Sequence, residues 1–410
     1  MANILTKGER IKNISSSSTL KAIFISSAHA MHDTYSGFIA PLLPFLIERL
    51  SLLKTEAGFF ILVYQGVSIL QPVIGHIGDR TNLRKYALIA PAVTAIFISL
   101  LGTAPSFSVA LLYCFIAGIS SATMHATLPA LVSGLSGENI GKGMSIWMVG
   151  GELGTMIGPI LITAVVAIFS MQATPWLMLG GIIFSLGISF MLKDLPNYNS
   201  PAKQQSKIPI KDLLKILLPM AAIVTSRSIL RTSSQLYLPV FLIENGASVW
   251  FAGISLSLVQ GVGIIGTLLG GSLNDRLGYR ITMIISLAVS AMAMLVFSTS
   301  QGYLQLAFLG ILSIASLMVL PVGMAIMQRS FPENRSLANG SYLAMFFAIN
   351  ALAGVATGYM YDQIGGQQTF LWSGWIAFLG IPFIFLLPKE NKFRNTNKRG
   401  SYDHSAVPDK

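Results

Sequence analysis

Leu62-Val63-Tyr64-Gln65-Gly66-Val67, followed by Gly75-His76-Ile77-Gly78-Asp79-Arg80, returns about 195 residues later as Leu258-Val259-Gln260-Gly261-Val262 and Gly271-Ser272-Leu273-Asn274-Asp275-Arg276. Around this core the echo continues. Pro44 answers Pro239, Ile47-Glu48 answers Ile243-Glu244, and Glu138-Asn139 answers Glu333-Asn334. The chain is therefore one unit written twice. The copies are joined by a polar stretch from Lys193 to Lys215 that holds Pro196, Pro201 and Pro209.

Each copy runs through continuous apolar sequence. Of 410 residues, 53% are hydrophobic and 10% charged, against roughly 25% charged in a soluble domain. Cutting at charged and turn-rich breaks leaves about twelve apolar stretches near the ~20 residues that span a bilayer as a helix. Membrane strands would show short alternating segments instead. The expected fold is all-α and integral to the membrane, with twelve transmembrane helices in two pseudo-symmetric six-helix halves. The halves are expected at 1–192 and 212–388, with a linker at 193–211 and a basic tail at 389–410. Met1 to Leu20 is polar, with Lys7, Arg10 and Lys12, and lacks the apolar core of a signal peptide. The first helix is thus expected to be retained.

The net charge of +11 is unevenly placed. One set of loops carries Arg80, Arg84, Lys85, Lys142, the 193–215 segment, Arg276, Arg280, Arg329, Arg335 and the tail. The other offers Arg49 and Lys54 against Glu48, Glu56, Glu244 and Asp362. By the positive-inside rule both termini face the cytoplasm. The charge is read as orientation and contact with anionic lipid, and no nucleic-acid partner is expected. The lone Cys114 excludes an intrachain disulfide and a cysteine-clustered metal site. No metal and no cofactor are expected. Gly261-x-Gly263-x-x-Gly266 matches the dinucleotide fingerprint by letter, but it lies in an apolar helix and not a βαβ unit. With no nucleophile–base pair and no Walker loop legible, an enzyme is not expected.

Gly75-x-x-x-Asp79-Arg80-x-x-x-Arg84-Lys85 resembles the signature between helices 2 and 3 of the major facilitator superfamily. Its copy, Gly271-x-x-x-Asp275-Arg276-x-x-x-Arg280, stands at the matching place in the second half. The resemblance implies the major facilitator fold, and a cytoplasmic gate in which glycine allows close helix approach while aspartate pairs with arginine. His29-x-x-His32-Asp33 is similar to the His-x-x-Asn-Asp pattern of fosmidomycin-resistance-type efflux proteins. His125 falls where that family has a His-Pro-Glu-like element, followed here by Ala126-Thr127. Val149-Gly150-Gly151-Glu152-Leu153-Gly154-x-x-x-Gly158-Pro159 resembles a further stretch of that family, with an acid at Glu152 in place of an amide. What this implies is proton-coupled efflux of a small solute from a bacterial inner membrane by a monomeric, multi-pass transporter.

Ionisable groups at membrane depth cost about 2.5–3.5 kcal/mol each at a helix centre on insertion scales, so retained ones point to function. His29, His32 and Asp33 share one helical face. With Glu152 they are the expected proton-coupling groups. Arg227 and Arg231 are four apart, and Arg227 aligns with His32 across the repeat. Such a pair attracts a carboxylate, phosphate or phosphonate, or else pairs internally with Asp33 or Glu152. These arginines, with His125, Gln65 and Gln260, are the expected substrate-binding residues. Gly150, Gly154, Gly158 and Pro159 are expected to serve helix packing. Trp147, Gln235 and Tyr237 are read as cavity linings or helix-to-helix hydrogen bonds. The alternatives are an importer or symporter of an anionic metabolite or metal chelate and, from another class, a transport-inactive membrane receptor.

Overall fold

The computed structural model describes residues 7–80, 84–135, 140–191, 208–331 and 334–388. Every regular element among them is helical. In order these are α1 (Lys7–Ser36), α2 (Ile39–Leu50), α3 (Lys54–Gly66), α4 (Gln71–Arg80), α5 (Arg84–Leu100), α6 (Phe107–Leu135), α7 (Ile140–Ile168) and α8 (Met178–Met191). The second half supplies α9 (Ile210–Gln235), α10 (Leu238–Glu244), α11 (Val249–Leu277), α12 (Tyr279–Thr299), α13 (Gly302–Leu317), α14 (Val319–Ser330), α15 (Arg335–Phe378) and α16 (Ile381–Ile384).

Ten stretches among the described residues are long and apolar enough to cross a membrane. The last, Leu337–Ile384, has 48 residues, more than twice the ~20 that one crossing needs. It is two helices in α15 joined across a kink at Gly365, whose φ of 77° is open to glycine and strained for other residues. Ile183, Leu186 and Phe190 of α8 and Leu268 of α11 are exposed. An apolar surface of that kind needs lipid rather than water around it.

The repeat shows in the breaks. The first predicted helix is divided by a turn at Gly37–Phe38 between α1 and α2, and its counterpart by a turn at Leu236–Tyr237 between α9 and α10. Apolar sequence runs through both breaks, so hydropathy alone does not mark them.

Cα packing groups the chain into two compact units. The first comprises Met1–Lys203, Thr232–Gly261 and Asn350–Thr369, and the second Gln204–Arg231, Val262–Ile349 and Phe370–Lys410. Sequence repeat and packing unit thus draw different lines through the chain, because segments of α9 to α11 and α15 pack with the first unit.

Within the first unit α1 lies directly against α7. A Cβ on Gly150, Gly154 or Gly158 would collide with the carbonyl oxygens of Ser26, Ala30 and Thr34 respectively. Glycine at four-residue spacing lets the two backbones meet, and so brings whatever α1 carries on that face against α7. In the second unit Met220, Ile223 and Val224 of α9 form a core with Met283, Leu287, Met327 and Tyr342.

Candidate functional site

Four helices of the first unit meet at the histidines of α1. The His29 ring stacks on Trp147 of α7, centroids 3.9 Å apart and planes at 16°. Its Nδ1 lies 2.9 Å from the Trp147 carbonyl oxygen. A carbonyl only accepts, so that nitrogen carries the hydrogen. His29 Nε2 therefore turns its other side to Asp33 Oδ2 at 3.1 Å and to His125 Nε2 of α6 at 3.2 Å. His125 repeats the arrangement, with Nδ1 2.9 Å from the Ser121 carbonyl oxygen. His32 completes the group. Its Nε2 is 3.8 Å from Asp33 Oδ1 and 3.4 Å from the Tyr64 hydroxyl of α3.

These groups are withdrawn from solvent. His29, His32 and Trp147 are buried, while Asp33 and His125 are half-buried. Gly151 backs the cluster, and a Cβ there would lie 2.7 Å from His29 Nε2 and 2.9 Å from Asp33 Oδ2. His29, Asp33 and His125 offer three ligand atoms all within 4.8 Å of one another. The sequence reading had grouped His29, His32 and Asp33 by spacing and placed His125 apart among the substrate-binding residues, with no metal site. The fold brings His125 into the same cluster. Tyr64 and Gly151 were missed, since each joins through a contact between helices that spacing along one helix does not reveal; Ser121, four residues before His125 on α6, follows once His125 is placed in the cluster. Glu152, next to Gly151 on α7, is half-buried.

Arg227 is 1% exposed, in the second unit. Its Nε donates to the Ser316 carbonyl at 2.9 Å, and Nη2 donates to the same oxygen. The guanidinium carbon stands 6.0 Å from the Phe346 ring centroid. Nη1 is buried with no partner among the described residues. Arg231, one turn further along α9, is half-buried. In the first unit Gln235 donates to Gln260 Oε1 at 2.7 Å, and Gln65 is half-buried on α3.

Of the expected gate, the side chains of Asp79, Arg80 and Arg84 lie outside the described residues, as do residues 193–207 of the linker and the tail from 389. In the second copy Asp275 pairs with an arginine, Arg329 in the last turn of α14, at 2.9 Å. Arg280 donates to the Leu387 carbonyl at 2.6 Å. Among the described residues a Cβ at Gly75 or Gly271 would meet nothing within 4 Å, whereas one at Gly150, Gly154 or Gly158 of α7 would collide with α1.

A further polar cluster, unforeseen, joins α3 to α10 and α15 in the first unit. Asp362 accepts from the Lys54 amide at 2.9 Å, the Thr55 amide at 2.7 Å and the Thr55 hydroxyl at 2.6 Å. Lys54 Nζ pairs with Glu244 at 3.0 Å, and Tyr361 donates its hydroxyl to the same carboxylate. The Tyr237 hydroxyl lies 2.8 Å from the Lys54 carbonyl oxygen and 2.9 Å from that of Gly354.

Comparison with known proteins is consistent with this architecture. The Major Facilitator Superfamily profile matches residues 25–278 and 223–407. The fosmidomycin resistance protein of Escherichia coli (strain K12) is 23% identical over 384 residues, covering 90% of this chain and 93% of that protein. The uncharacterized MFS-type transporter YfnC of Bacillus subtilis (strain 168) is 25% identical over 388 residues, covering 91% and 93%. Among solved structures, a bacterial homolog of the human lysosomal transporter Spinster, inward-facing and unoccupied, superposes with a TM-score of 0.74 at 15% identity. That match covers 94% of this chain and 98% of the other.

Proposed function

Since the chain belongs to the Major Facilitator Superfamily, and is a multi-pass membrane transporter rather than an enzyme, we propose that it exports a small anionic solute in exchange for protons. The observation that carries the proposal is the convergence of His29 Nε2, His125 Nε2 and Asp33 Oδ2. With both Nδ1 atoms committed as donors to backbone carbonyls, the His29 Nε2 lone pair faces two further acceptors, each at about one hydrogen-bond length. One proton on His29 Nε2 turns that mutual repulsion into a charge-assisted hydrogen bond. A proton entering or leaving this site changes how α1 is held to α6 and α7, and an exchanger requires such a link between protonation and helix packing. Glu152 and His32 are the further titratable groups beside it.

An anionic solute is favoured by Arg227 and Arg231 on α9, both in the second unit. The Nη1 of Arg227 is a buried donor left over after Ser316 is satisfied, and a buried charge with spare donors attracts an anion. Export is supported by the relative named for fosmidomycin resistance. The rest of the proposal is a monomer in the lipid of a bacterial inner membrane, with both termini cytoplasmic. Reporter fusions within 193–215 and after Lys389 are expected to read as inside.

The test is transport in proteoliposomes with an imposed pH gradient and a panel of labelled organic anions and neutral solutes. Proton-driven movement of an anion is the expected result. Transport unaffected by the gradient would overturn the coupling, and a preference for neutral solutes would overturn the anion site.

A further inference from the structure

We propose that the cluster on α1 and α6 is also a binding site for a divalent transition-metal ion of the zinc class, with His29 Nε2, His125 Nε2 and Asp33 Oδ2 as ligands. The inference rests on the same convergence of lone pairs as the reading above, but it concerns what the geometry can hold and not what drives transport.

The donors have suitable spacing and chemistry. Zinc binds imidazole nitrogen at about 2.0–2.1 Å and carboxylate oxygen at about 2.0–2.2 Å, so neighbouring ligand atoms in a tetrahedral shell stand roughly 3.3 Å apart. The two contacts here are 3.2 Å between the imidazole nitrogens and 3.1 Å from nitrogen to carboxylate. Calcium requires six to eight oxygens at about 2.3–2.6 Å and does not suit so tight a set with two nitrogens. Two imidazoles and one carboxylate favour zinc, cobalt, nickel or copper over magnesium.

The outer shell has the form that metal sites use. A ligating histidine normally donates its second nitrogen to a carbonyl or carboxylate, which fixes the tautomer and aims the lone pair. Both histidines do this, to the Trp147 and Ser121 carbonyls, and stacking on Trp147 holds the His29 ring in plane. His32 stands near the other oxygen of Asp33, leaving Oδ2 for the ion. Gly151 keeps that side of the cluster clear, because a methyl group there would press on His29 Nε2 and Asp33 Oδ2. Three protein ligands leave one position for water or for a donor atom of a solute.

The experiment uses the full chain, purified without a histidine tag, in lipid nanodiscs. It is titrated with Co2+ and then displaced with Zn2+, with no pH gradient and no solute present. One ion per chain is expected, with the visible absorption of a low-coordinate cobalt site. His125→Ala and Asp33→Asn are each expected to lower affinity at least tenfold. X-ray absorption on the zinc-loaded wild type needs no variant, and should show two imidazoles and one carboxylate at about 2.0 Å. Three results would overturn the site: no binding by the wild type, undiminished binding by the His29→Ala/His125→Ala double variant, or a zinc shell made of oxygens. None of these touches proton-driven transport, which is measured separately without metal, so the two readings fail independently.

Discussion

At the scale of single residues, Asp33 is where charge enters the cluster. Asp33→Asn keeps the shape and removes the carboxylate facing His29 and His32. Accumulation driven by a pH gradient is expected to vanish while some downhill exchange persists, since an amide does not release a proton. The check is paired measurement of gradient-driven and counterflow transport. Intact accumulation would move the coupling role to Glu152 or to the histidines. Arg227 gives a second residue-level expectation. Its planar fork places two nitrogens on the Ser316 carbonyl, an arrangement lysine cannot reproduce. Arg227→Lys is expected to cost about 1–3 kcal/mol of stability through a buried donor set left incomplete, and to weaken anion binding, read by thermal unfolding and by a binding isotherm. Normal stability with unchanged anion affinity would remove Arg227 from the proposed site. What the sequence revealed here depended on distance along the chain. His29, His32 and Asp33 fall on one helical face and were legible together. His125, Trp147 and Tyr64 join them across interhelical contacts, and no spacing rule on one helix predicts which ring a neighbouring helix will present.

At the scale of elements, the contact of α1 with α7 depends on glycines that leave room for carbonyl oxygens. Gly154→Val puts a branched side chain where the Ala30 carbonyl and the Asp33 Cβ stand. Overpacking of this kind costs about 1–3 kcal/mol or more, and it also pushes Asp33 away from His125. A lower unfolding temperature with impaired coupling is therefore expected. The same valine at Gly271, where a Cβ meets open space, is expected to be tolerated in folding. The helices themselves were legible because a lipid-facing chain must keep its backbone bonded within each segment, which makes long apolar runs diagnostic. Their interruptions were not. The turns at Gly37–Phe38 and Leu236–Tyr237 interrupt uniformly apolar sequence, where hydropathy has no contrast to show. The break at Gly365 was hidden in the same way, and its positive φ is a backbone property that composition alone does not mark.

At the scale of the whole molecule, a transporter that alternates access must make and break contacts at each end of its helices. The cluster of Asp362, Lys54, Glu244, Tyr361 and Tyr237 has the character of such a contact, at the ends opposite the basic loops. It links Lys54 and Thr55 at the start of α3 with residues 183 to 308 positions away, and the pairing was not legible in the sequence because each charge alone reads as an ordinary loop residue. The carboxylate of Asp362 holds the first amides of α3, donors that a helix start leaves unsatisfied and that favour a negative charge. The Lys54–Glu244 pair is partly exposed and contributes little alone, so Asp362 is the member to remove. Asp362→Ala forfeits three charge-assisted hydrogen bonds, of which water restores part when the contact opens. A net bias of about 1–3 kcal/mol moves a two-state equilibrium by roughly 5- to 150-fold. Spin labels at the exposed positions Leu53 and Gln363 are expected to show a longer-distance population in the variant that is minor in the parent. Asp362→Asn, which keeps one acceptor and loses the charge, should fall between them. A variant with the parent's distance distribution and the parent's transport rate would make this cluster an incidental contact, and the ends of α3 and α15 would have to be held together by packing at Gly58 and Gly354 instead.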